Sequence, residues 1–265
     1  MKKQIVAMVK HERKYHKKKG SVKVHGELKS VFLALGIKCG RDKFLDFLRE
    51  ENMLIPRKKR FIRTTDSNHK FKKYPNLIKD LDIYRAEQVF VSDITYIRTK
   101  KGFMYLFLIT DAYSKQIMGW ELADNLKTIS AIKALKMAIN NRQYPDRSLI
   151  HHSDRGLQYC NPEYIEVQKS NGITPSMTTK YDPYENAIAE RVNGILKTKY
   201  DIGDGFLGQK DAKREVNFAI WLYNTDRPHM SCHGLTPVVA HKAENYKLKK
   251  WSRKFVTRDM SLVTN

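Results

Sequence analysis

From residue 89 onward, the order of strand-like and helix-like segments restricts the chain to few folds. Three segments rich in β-branched and aromatic residues follow one another, at 89–98, 103–112 and 115–122. Helical spacing of apolar residues then alternates with strand-like runs, which predicts helices over 126–140, 161–170, 185–199 and 211–225 and strands at 148–154 and 173–178. A three-stranded meander followed by strands that alternate with helices indicates a mixed five-stranded α/β sheet flanked by helices.

Residues 1–56 differ from this pattern and predict a small all-α region. Apolar residues recur at helical spacing over 24–35, and a second apolar set covers 44–48. Two short helices joined by a glycine-containing turn are typical of a helix-turn-helix, although the spacing describes a plain helical subdomain equally well. In the first interpretation, Arg41 and Lys43 lie near the start of the second helix, where they would meet DNA.

Positive charge is concentrated in the first third of the chain. Residues 1–90 carry 24 basic and 10 acidic side chains, residues 91–265 carry 26 and 18, and the net charge is +22. A polyanionic partner, of which double-stranded DNA is one, explains this charge, because each phosphate contact releases condensed counterions. A basic protein that is merely soluble, or one that touches anionic lipid, is the alternative. Four consecutive side chains are candidate DNA contacts in a predicted basic linker over 57–88, namely Arg57, Lys58, Lys59 and Arg60.

Membrane-spanning and disulfide-rich proteins do not fit this sequence. The longest uninterrupted apolar run is 103–109, far below the roughly 18 residues that span a bilayer. The N-terminus lacks the continuous apolar segment of a secretory signal. Three scattered cysteines, at positions 39, 160 and 232, match no disulfide framework or zinc spacing. We therefore expect a protein of the reducing cytoplasm with no membrane partner.

Three acidic residues stand where a catalytic site could use them. Asp93 lies inside the first predicted strand, where an unpaired charge is costly. Asp154 follows the fourth strand, and Glu190 lies in the helix over 185–199 on the same face as Lys197. Strand ends and a packed helix could bring the three carboxylates together. Converging carboxylates need a divalent cation, and hard oxygen ligands select Mg²⁺ or Mn²⁺. Spacing alone does not distinguish this set from buried structural carboxylates.

Other residues allow more than one interpretation. Asp111 ends the second predicted strand and could either approach a metal or form a turn. The neighbouring His151 and His152 would point to opposite faces of a strand. This arrangement favours packing or a DNA contact over a paired-histidine nuclease motif.

Five stretches carry a family resemblance, and they are, in chain order, VFVSDITYIR, LITDAYSKQIMGW, HHSDRGLQY, DPYENAIAERVNGILK and WLYNTDRPHMSCHGLTP. Together they resemble the DDE transposases of the IS3 insertion-sequence family, specifically the OrfB-type catalytic protein, a relative of retroviral integrases. The resemblance covers 20–240. It implies a ribonuclease-H-like catalytic domain over 89–240, with DNA strand cleavage and transfer at the ends of an insertion sequence.

The resemblance also implies roles for particular residues. Asp93, Asp154 and Glu190 would be the catalytic, metal-binding triad, and Lys197 would contact the DNA end. Two Mg²⁺ ions are implied, with Mn²⁺ able to substitute. One would activate water or a DNA 3′-hydroxyl and the other would stabilise the leaving oxygen, with no covalent protein–DNA intermediate. The family also has a helix-turn-helix-like segment that matches the front end, which favours the DNA-binding interpretation there.

The sequence departs from the family pattern at its front. It lacks the additional helix-turn-helix and leucine zipper that an upstream reading frame usually supplies. We therefore expect an upstream-frame protein as a partner and a homo-oligomer on DNA. A non-catalytic DNA-binding accessory or regulatory product of the same element is the alternative function. We expect a basic tail over 241–265 and a location in the prokaryotic cytoplasm, at the nucleoid when DNA is bound.

Overall fold

The computed structural model describes residues 2–55, 69–179, 186–203, 205–243 and 248. Its helices are α1 (Lys2–Glu12), α2 (Ser21–Ala34), α3 (Arg41–Glu50), α4 (Thr128–Asn140), α5 (Leu157–Cys160), α6 (Pro162–Ser170), α7 (Ala187–Lys199), α8 (Gln209–Thr225) and α9 (Pro237–Lys242). Its strands are β1 (Val89–Thr99), β2 (Gly102–Asp111), β3 (Ile117–Ala123), β4 (Leu149–Ser153) and β5 (Ile173–Met177). No helix in these ranges is long and apolar enough to cross a membrane.

The five strands form one mixed sheet, as the sequence predicts. Their order is β3-β2-β1-β4-β5. The first three strands are antiparallel neighbours, whereas β4 runs parallel to β1 and β5 runs parallel to β4. The nearly all-apolar β2 is an interior strand, and the central position belongs to β1. The mixed sheet flanked by helices confirms the predicted fold class.

Both faces of the sheet are covered, because alternate residues of β2 enter two different cores. Leu106 and Leu108 pack with apolar side chains of α7 and α8 on one face. Phe107 and Ile109 pack with α4 and with residues around α5 and α6 on the other. A strand buried on both faces is continuously apolar, which explains the sequence of β2.

The front end is a separate three-helix module with its own core. α2 and α3 contribute most of that core, and α1 adds Ile5 and Val9. The sequence pattern does not predict α1, because two apolar residues one turn apart are a weak periodic signal. Two residues of the apolar spacing over 24–35 lie outside this core: Val31 and Leu35 are 40% and 55% exposed. Leu35 also lies just beyond the end of the helix.

Residues 74–77 of the predicted linker run along the edge of the sheet beside β5. The N–H of Leu77 donates to the Ser176 hydroxyl at 2.9 Å, and the N–H of Met177 donates to the Pro75 carbonyl at 3.2 Å. The second bond satisfies a backbone N–H that the edge strand β5 would otherwise expose. The basic cluster Arg57, Lys58, Lys59 and Arg60, the other residues of 56–68 and nearly all of the predicted tail lie outside the described residues.

A buried charge network fastens the C-terminal helix to the beginning of β1. Glu87 is fully buried and accepts hydrogen bonds from Arg142 Nε at 2.9 Å and from the N–H of Gln143 at 2.6 Å. His241 of α9 lies 3.2 Å from the Glu87 carboxylate and 2.9 Å from the Ser114 hydroxyl. Burial alone would raise the pKa of Glu87, but the hydrogen bonds from His241, Gln143 and Arg142 outweigh it and lower that pKa. The predicted domain boundary at residue 240 thus falls inside α9.

A close contact between α4 and the sheet depends on a glycine of β3. A Cβ on Gly119 would lie 2.2 Å from the carbonyl oxygen of Ala134 and 2.6 Å from the N–H nitrogen of Ala138, both in the backbone of α4. We expect Gly119→Ala to lower the free energy of unfolding by about 1–3 kcal/mol, because α4 must move away from the sheet. Urea denaturation measures this change.

Gly194→Ala is the matched control in the same domain. Gly194 lies within α7, and a Cβ there would meet nothing within 4 Å. We expect this variant to gain roughly 0.5–1 kcal/mol from the better helix propensity of alanine. Equal stability of the two variants would contradict the described packing of α4 on β3.

Candidate active site

Asp93 lies on the face of β1 that α7 covers. Alternation along the strand sends Val91 and Ile97 to the same face as Asp93, and both pack in cores to which α7 contributes. The Asp93 carboxylate is partly buried and accepts a hydrogen bond from Asn193 Nδ2 of α7 at 2.9 Å. A charged residue inside the central strand thus has a polar partner from the covering helix.

Asp154 immediately follows β4, the parallel neighbour of β1. The register pairs Val91 with His152, and the same register continued by two residues brings Asp93 level with Asp154. The Asp154 side chain is 8% exposed, and its Oδ1 accepts the N–H of Gly156 at 2.9 Å in a tight turn before α5. Parallel strands therefore set the two aspartates side by side at the end of β4.

Glu190 is contributed by the first turn of α7, and its side chain is exposed. Two asparagines hold this helix against β1. Asn186 Nδ2 donates to the Ser92 carbonyl at 3.0 Å, and Asn193 Nδ2 donates to Asp93. Both asparagines are almost fully buried. Their spacing from Glu190 matches the shared helical face expected from the sequence, but their buried anchoring role is information that only the structure gives.

The three acidic side chains act on one another electrostatically. Burial and the charges of Asp154 and Glu190 together raise the pKa of Asp93 to about 7, against the hydrogen bonds from Asn193 and the Ile94 N–H. Desolvation and like charges both disfavour the ionised carboxylate. This arrangement favours a bound cation, because a positive charge would relieve both effects.

The donors at this point fit a hard divalent cation in chemistry. Asp93, Asp154 and Glu190 supply carboxylate oxygens, and the buried Asn193 Oδ1 has no hydrogen-bond partner among the described residues. Oxygen donors of this kind suit Mg²⁺ or Mn²⁺. Within the described ranges, however, no three His, Cys, Asp or Glu side chains are already arranged as a coordination shell.

Lys197 is a described cation close to Asp93 of this group. It lies two turns after Glu190 on α7, close enough to Asp93 for that carboxylate to act on its charge. Burial lowers the pKa of Lys197, and the attraction to Asp93 only partly opposes this effect. A half-buried lysine beside a carboxylate can hold an anionic ligand there.

The other candidate residues lie apart from the carboxylates. Arg41 and Lys43 occupy the first turn of α3 and are exposed, and Arg41 Nε pairs with Asp42 at 2.9 Å. Asp111 takes the turn role, because its buried carboxylate accepts the N–H groups of Glu87 and Ser114. It therefore serves the structure of the loop after β2.

The adjacent histidines pack on opposite faces of β4, as expected. His151 contacts the hydroxyl of Tyr164 at 3.0 Å and the amide of Gln168 at 3.0 Å. His152 lies 2.9 Å from the hydroxyl of Ser176 on β5. Both side chains are buried, so their role is packing.

The sheet and helices are similar to those of a solved viral assembly. A chain in the cryoEM structure of the simian T-cell lymphotropic virus intasome, in complex with PP2A regulatory subunit B56 gamma, superposes with a TM-score of 0.53. The match covers 88% of this chain and 79% of that one at 20% sequence identity. This likeness concerns the fold, which is the ribonuclease-H-like fold that the sequence predicts.

Sequence comparison extends the likeness to bacterial mobile elements. The model of the integrase core domain matches residues 84–183, and a second integrase core model matches residues 171–237. The insertion element IS600 uncharacterized 31 kDa protein of Shigella sonnei is 34% identical over 204 residues, which cover 76% of this chain and 75% of the relative. Transposase InsF for insertion sequence IS3A of Escherichia coli is 32% identical over 193 residues, which cover 72% and 66%. The chain belongs to the integrase-core family of insertion-sequence transposases that includes InsF of IS3.

Proposed function

We propose that this protein is a DDE-type transposase that cleaves DNA at the ends of an insertion sequence and transfers the strands to target DNA. Asp93, Asp154 and Glu190 are its catalytic residues. The observation that carries this proposal is the β1–β4 register, which brings Asp93 level with Asp154 where two asparagines tie the helix of Glu190 to β1. Three separate elements each contribute one acid to this place. A structural role for any one of these acids does not explain why all three are there.

The same three residues would hold the divalent ions, two Mg²⁺ or Mn²⁺ in the proposed mechanism. Bound metal would supply Lewis-acid activation of water or of a DNA 3′-hydroxyl and would neutralise charge at the scissile phosphate. The protein itself orients the ligands. Asn193 fixes the Asp93 carboxylate, the Gly156 N–H fixes Asp154, and Asn186 anchors the start of the helix that carries Glu190.

Lys197 would position the DNA strand. Its half-buried ammonium group lies near Asp93, so a phosphate bound there would be next to the metal ligands. A charge-assisted hydrogen bond from lysine to phosphate is strong when both groups are partly desolvated. This contact would keep the scissile strand in place without forming a covalent bond to the protein.

The front module would supply DNA affinity. α2 and α3 form a compact helix pair, and Arg41 and Lys43 are exposed at the start of α3. The basic residues Arg57, Lys58, Lys59 and Arg60 would extend this contact along the DNA backbone. In this proposal the functional units are a DNA-binding region over 1–56, a basic linker, a catalytic domain from 89 and a basic tail.

We further propose that the protein forms a homo-oligomer on DNA and acts at the nucleoid in the cytoplasm. Its proposed partner is an upstream-frame protein with a helix-turn-helix and a leucine zipper. Pull-down and sedimentation with end-containing DNA would test the assembly. DNA that carries both ends should produce complexes with more than one copy of the chain.

The triad substitutions test the catalytic proposal directly. We expect Asp93→Asn, Asp154→Asn and Glu190→Gln each to reduce cleavage of a duplex carrying the element's ends by at least about 10³-fold, because metal-ion catalysis supplies several kcal/mol. DNA affinity should stay within a few-fold, since each change removes a metal ligand and little volume. Chelation with EDTA should abolish cleavage, Mg²⁺ or Mn²⁺ should restore it, and Ca²⁺ should support binding only.

Asp146→Asn and Glu163→Gln are matched controls, because both acids are exposed and lie outside the triad. They should cleave like the parent protein. A triad variant with normal cleavage would disprove the role of that residue. A parent protein that binds the ends but cleaves nothing with either metal would instead support a non-catalytic accessory role.

Lys197→Ala should weaken end binding and cleavage together, by roughly ten- to a hundred-fold, because a hydrogen bond to a charged group contributes about 1.5–3 kcal/mol. Added salt should narrow the difference from the parent protein, and Lys197→Arg should recover most of the loss. Footprinting of the DNA end and a cleavage time course measure both effects. Normal end protection and cleavage in Lys197→Ala at low salt would show that this lysine has no DNA role.

The double variant Arg41→Gln/Lys43→Gln should weaken duplex binding and reduce the slope of log affinity against log salt by up to about 0.9 per lost phosphate contact. Lys133→Gln/Lys136→Gln is the control, because these lysines are exposed on α4 in the catalytic domain. Fluorescence anisotropy over a salt series measures both. Equal slopes in the two double variants would argue against DNA contact by α3.

A further inference from the structure

A cationic cleft separates the front module from the catalytic domain. We call it the interdomain cleft. Its cations are Lys19 and Lys23 from the front module and Lys199 and Arg227 from the catalytic domain. His16 and Tyr200 also line the cleft. Their rings meet edge to face, with 5.3 Å between the ring centroids. Two domains therefore bring like charges to one place, which opposes their association unless the charges are compensated.

Carboxylates compensate only part of this charge. Lys19 pairs with Glu12 at 3.1 Å and with Glu27 at 2.8 Å. Asp226 pairs with His16 across the cleft. Within the described residues, Lys23, Lys199 and Arg227 form no ion pair with a carboxylate. The cleft thus retains an excess of positive charge after its acids are accounted for.

The uncompensated cations are also desolvated. Lys23 donates to the Pro228 carbonyl, and burial together with the charges of Arg227, Arg191 and Lys19 lowers its pKa to about 7. Burial and the charge of Arg227 lower the pKa of Lys199. The Nε of Arg227 is buried and has no hydrogen-bond partner among the described residues. An anion in the cleft would supply the missing partner and the missing charge.

We infer that the interdomain cleft binds one backbone phosphate of DNA, held jointly by Lys23, Lys199 and Arg227. This inference rests on the proposed action on DNA, and it adds a phosphate site that neither domain contains alone. Binding there would neutralise the charges that oppose docking of the two domains. DNA would therefore fasten the front module to the catalytic domain.

The size of the cleft favours a phosphate within a nucleic acid strand over a free phosphate ion. The enclosed space measures about 10 Å³, roughly the room that one water-sized group needs. One non-bridging phosphate oxygen can enter this space while the phosphorus and its two ester oxygens stay at the mouth. A free ion would leave most of its oxygens outside the cationic walls.

The position of the interdomain cleft would allow one DNA segment to contact both the cleft and the candidate active site. Glu190 and Lys199 lie on the same helix, α7. Nine residues of α-helix correspond to roughly 13 Å, about four steps of 3.4 Å along a duplex. A duplex with its scissile phosphate at the carboxylates could thus place a nearby phosphate at the cleft.

The first test measures DNA affinity against salt with a fluorescent duplex of mixed sequence and the full chain. The triple variant Lys23→Met/Lys199→Gln/Arg227→Gln should lose about 0.9 from the salt slope, the value for one phosphate. Three independent surface contacts would lose about 2.7 instead, and no contact would leave the slope unchanged. Either of these results would overturn the single shared site.

Lys29→Met is the matched control for Lys23→Met, since Lys29 is exposed on the same helix. We expect Lys23→Met to weaken DNA binding several-fold more than Lys29→Met, and Lys23→Arg to recover binding. Thermal unfolding without DNA separates binding from folding. Removal of like charges should leave the melting temperature of Lys199→Gln unchanged or higher, whereas DNA should raise it less than in the parent protein.

A second measurement needs no variant. Acylation of lysines in the parent protein, read by mass spectrometry, should show Lys23 protected by DNA and Lys29 unchanged. Equal reactivity of Lys23 with and without DNA would overturn the inference.

Inorganic phosphate at matched ionic strength should not displace DNA from the protein. If it did, the cleft would be a free-phosphate site. A parent protein that binds no DNA at all would contradict the proposed function itself, whereas normal DNA binding by the triple variant would contradict only the cleft.

Discussion

The register between β1 and β4 is the constraint on which the candidate active site depends. These strands are parallel neighbours at the centre of the sheet, so residues far apart in sequence come level with each other. Asp93 and Asp154 are brought together in this way. A shift of one residue would turn one aspartate to the opposite face, into the core beneath α4. The many apolar contacts on both faces of the sheet hold this register, and through it they hold the two carboxylates.

The covering helix α7 adds the third acid and sets the electrostatic environment. Two buried asparagines tie it to β1, the apolar side of the helix packs on the sheet, and the charge of Glu190 acts on Asp93. The same helix carries Lys197 near Asp93 and ends at Lys199 in the interdomain cleft. One rigid element therefore spans the acidic and the cationic parts of the surface that DNA would contact.

Much of this arrangement follows from the sequence, because its strongest signals are local. The apolar run of β2 and the helical face shared by Glu190 and Lys197 are periodic patterns within one element. The β1–β4 register, the Asn193–Asp93 bond and the pairing of His16 with Asp226 join distant segments and leave no local pattern. The same limit applies to Val31 and Leu35, which lie at helical spacing but outside the core of the front module. Spacing identifies an apolar stripe, but only the neighbouring helices decide how much of it is covered.

The link between Glu87 and His241 joins residues 154 positions apart, and it bears on the order in which the domain can form. During synthesis the chain emerges from its N-terminus, so β1, β2 and α4 are available long before α9. Before α9 is synthesised, the pair of Glu87 and Arg142 lacks the contact that His241 makes with the Glu87 carboxylate. α9 supplies this contact, because His241 brings its ring against the Glu87 carboxylate and the Ser114 hydroxyl. Closure of this buried network thus depends on a segment that is synthesised after the rest of the described sheet domain.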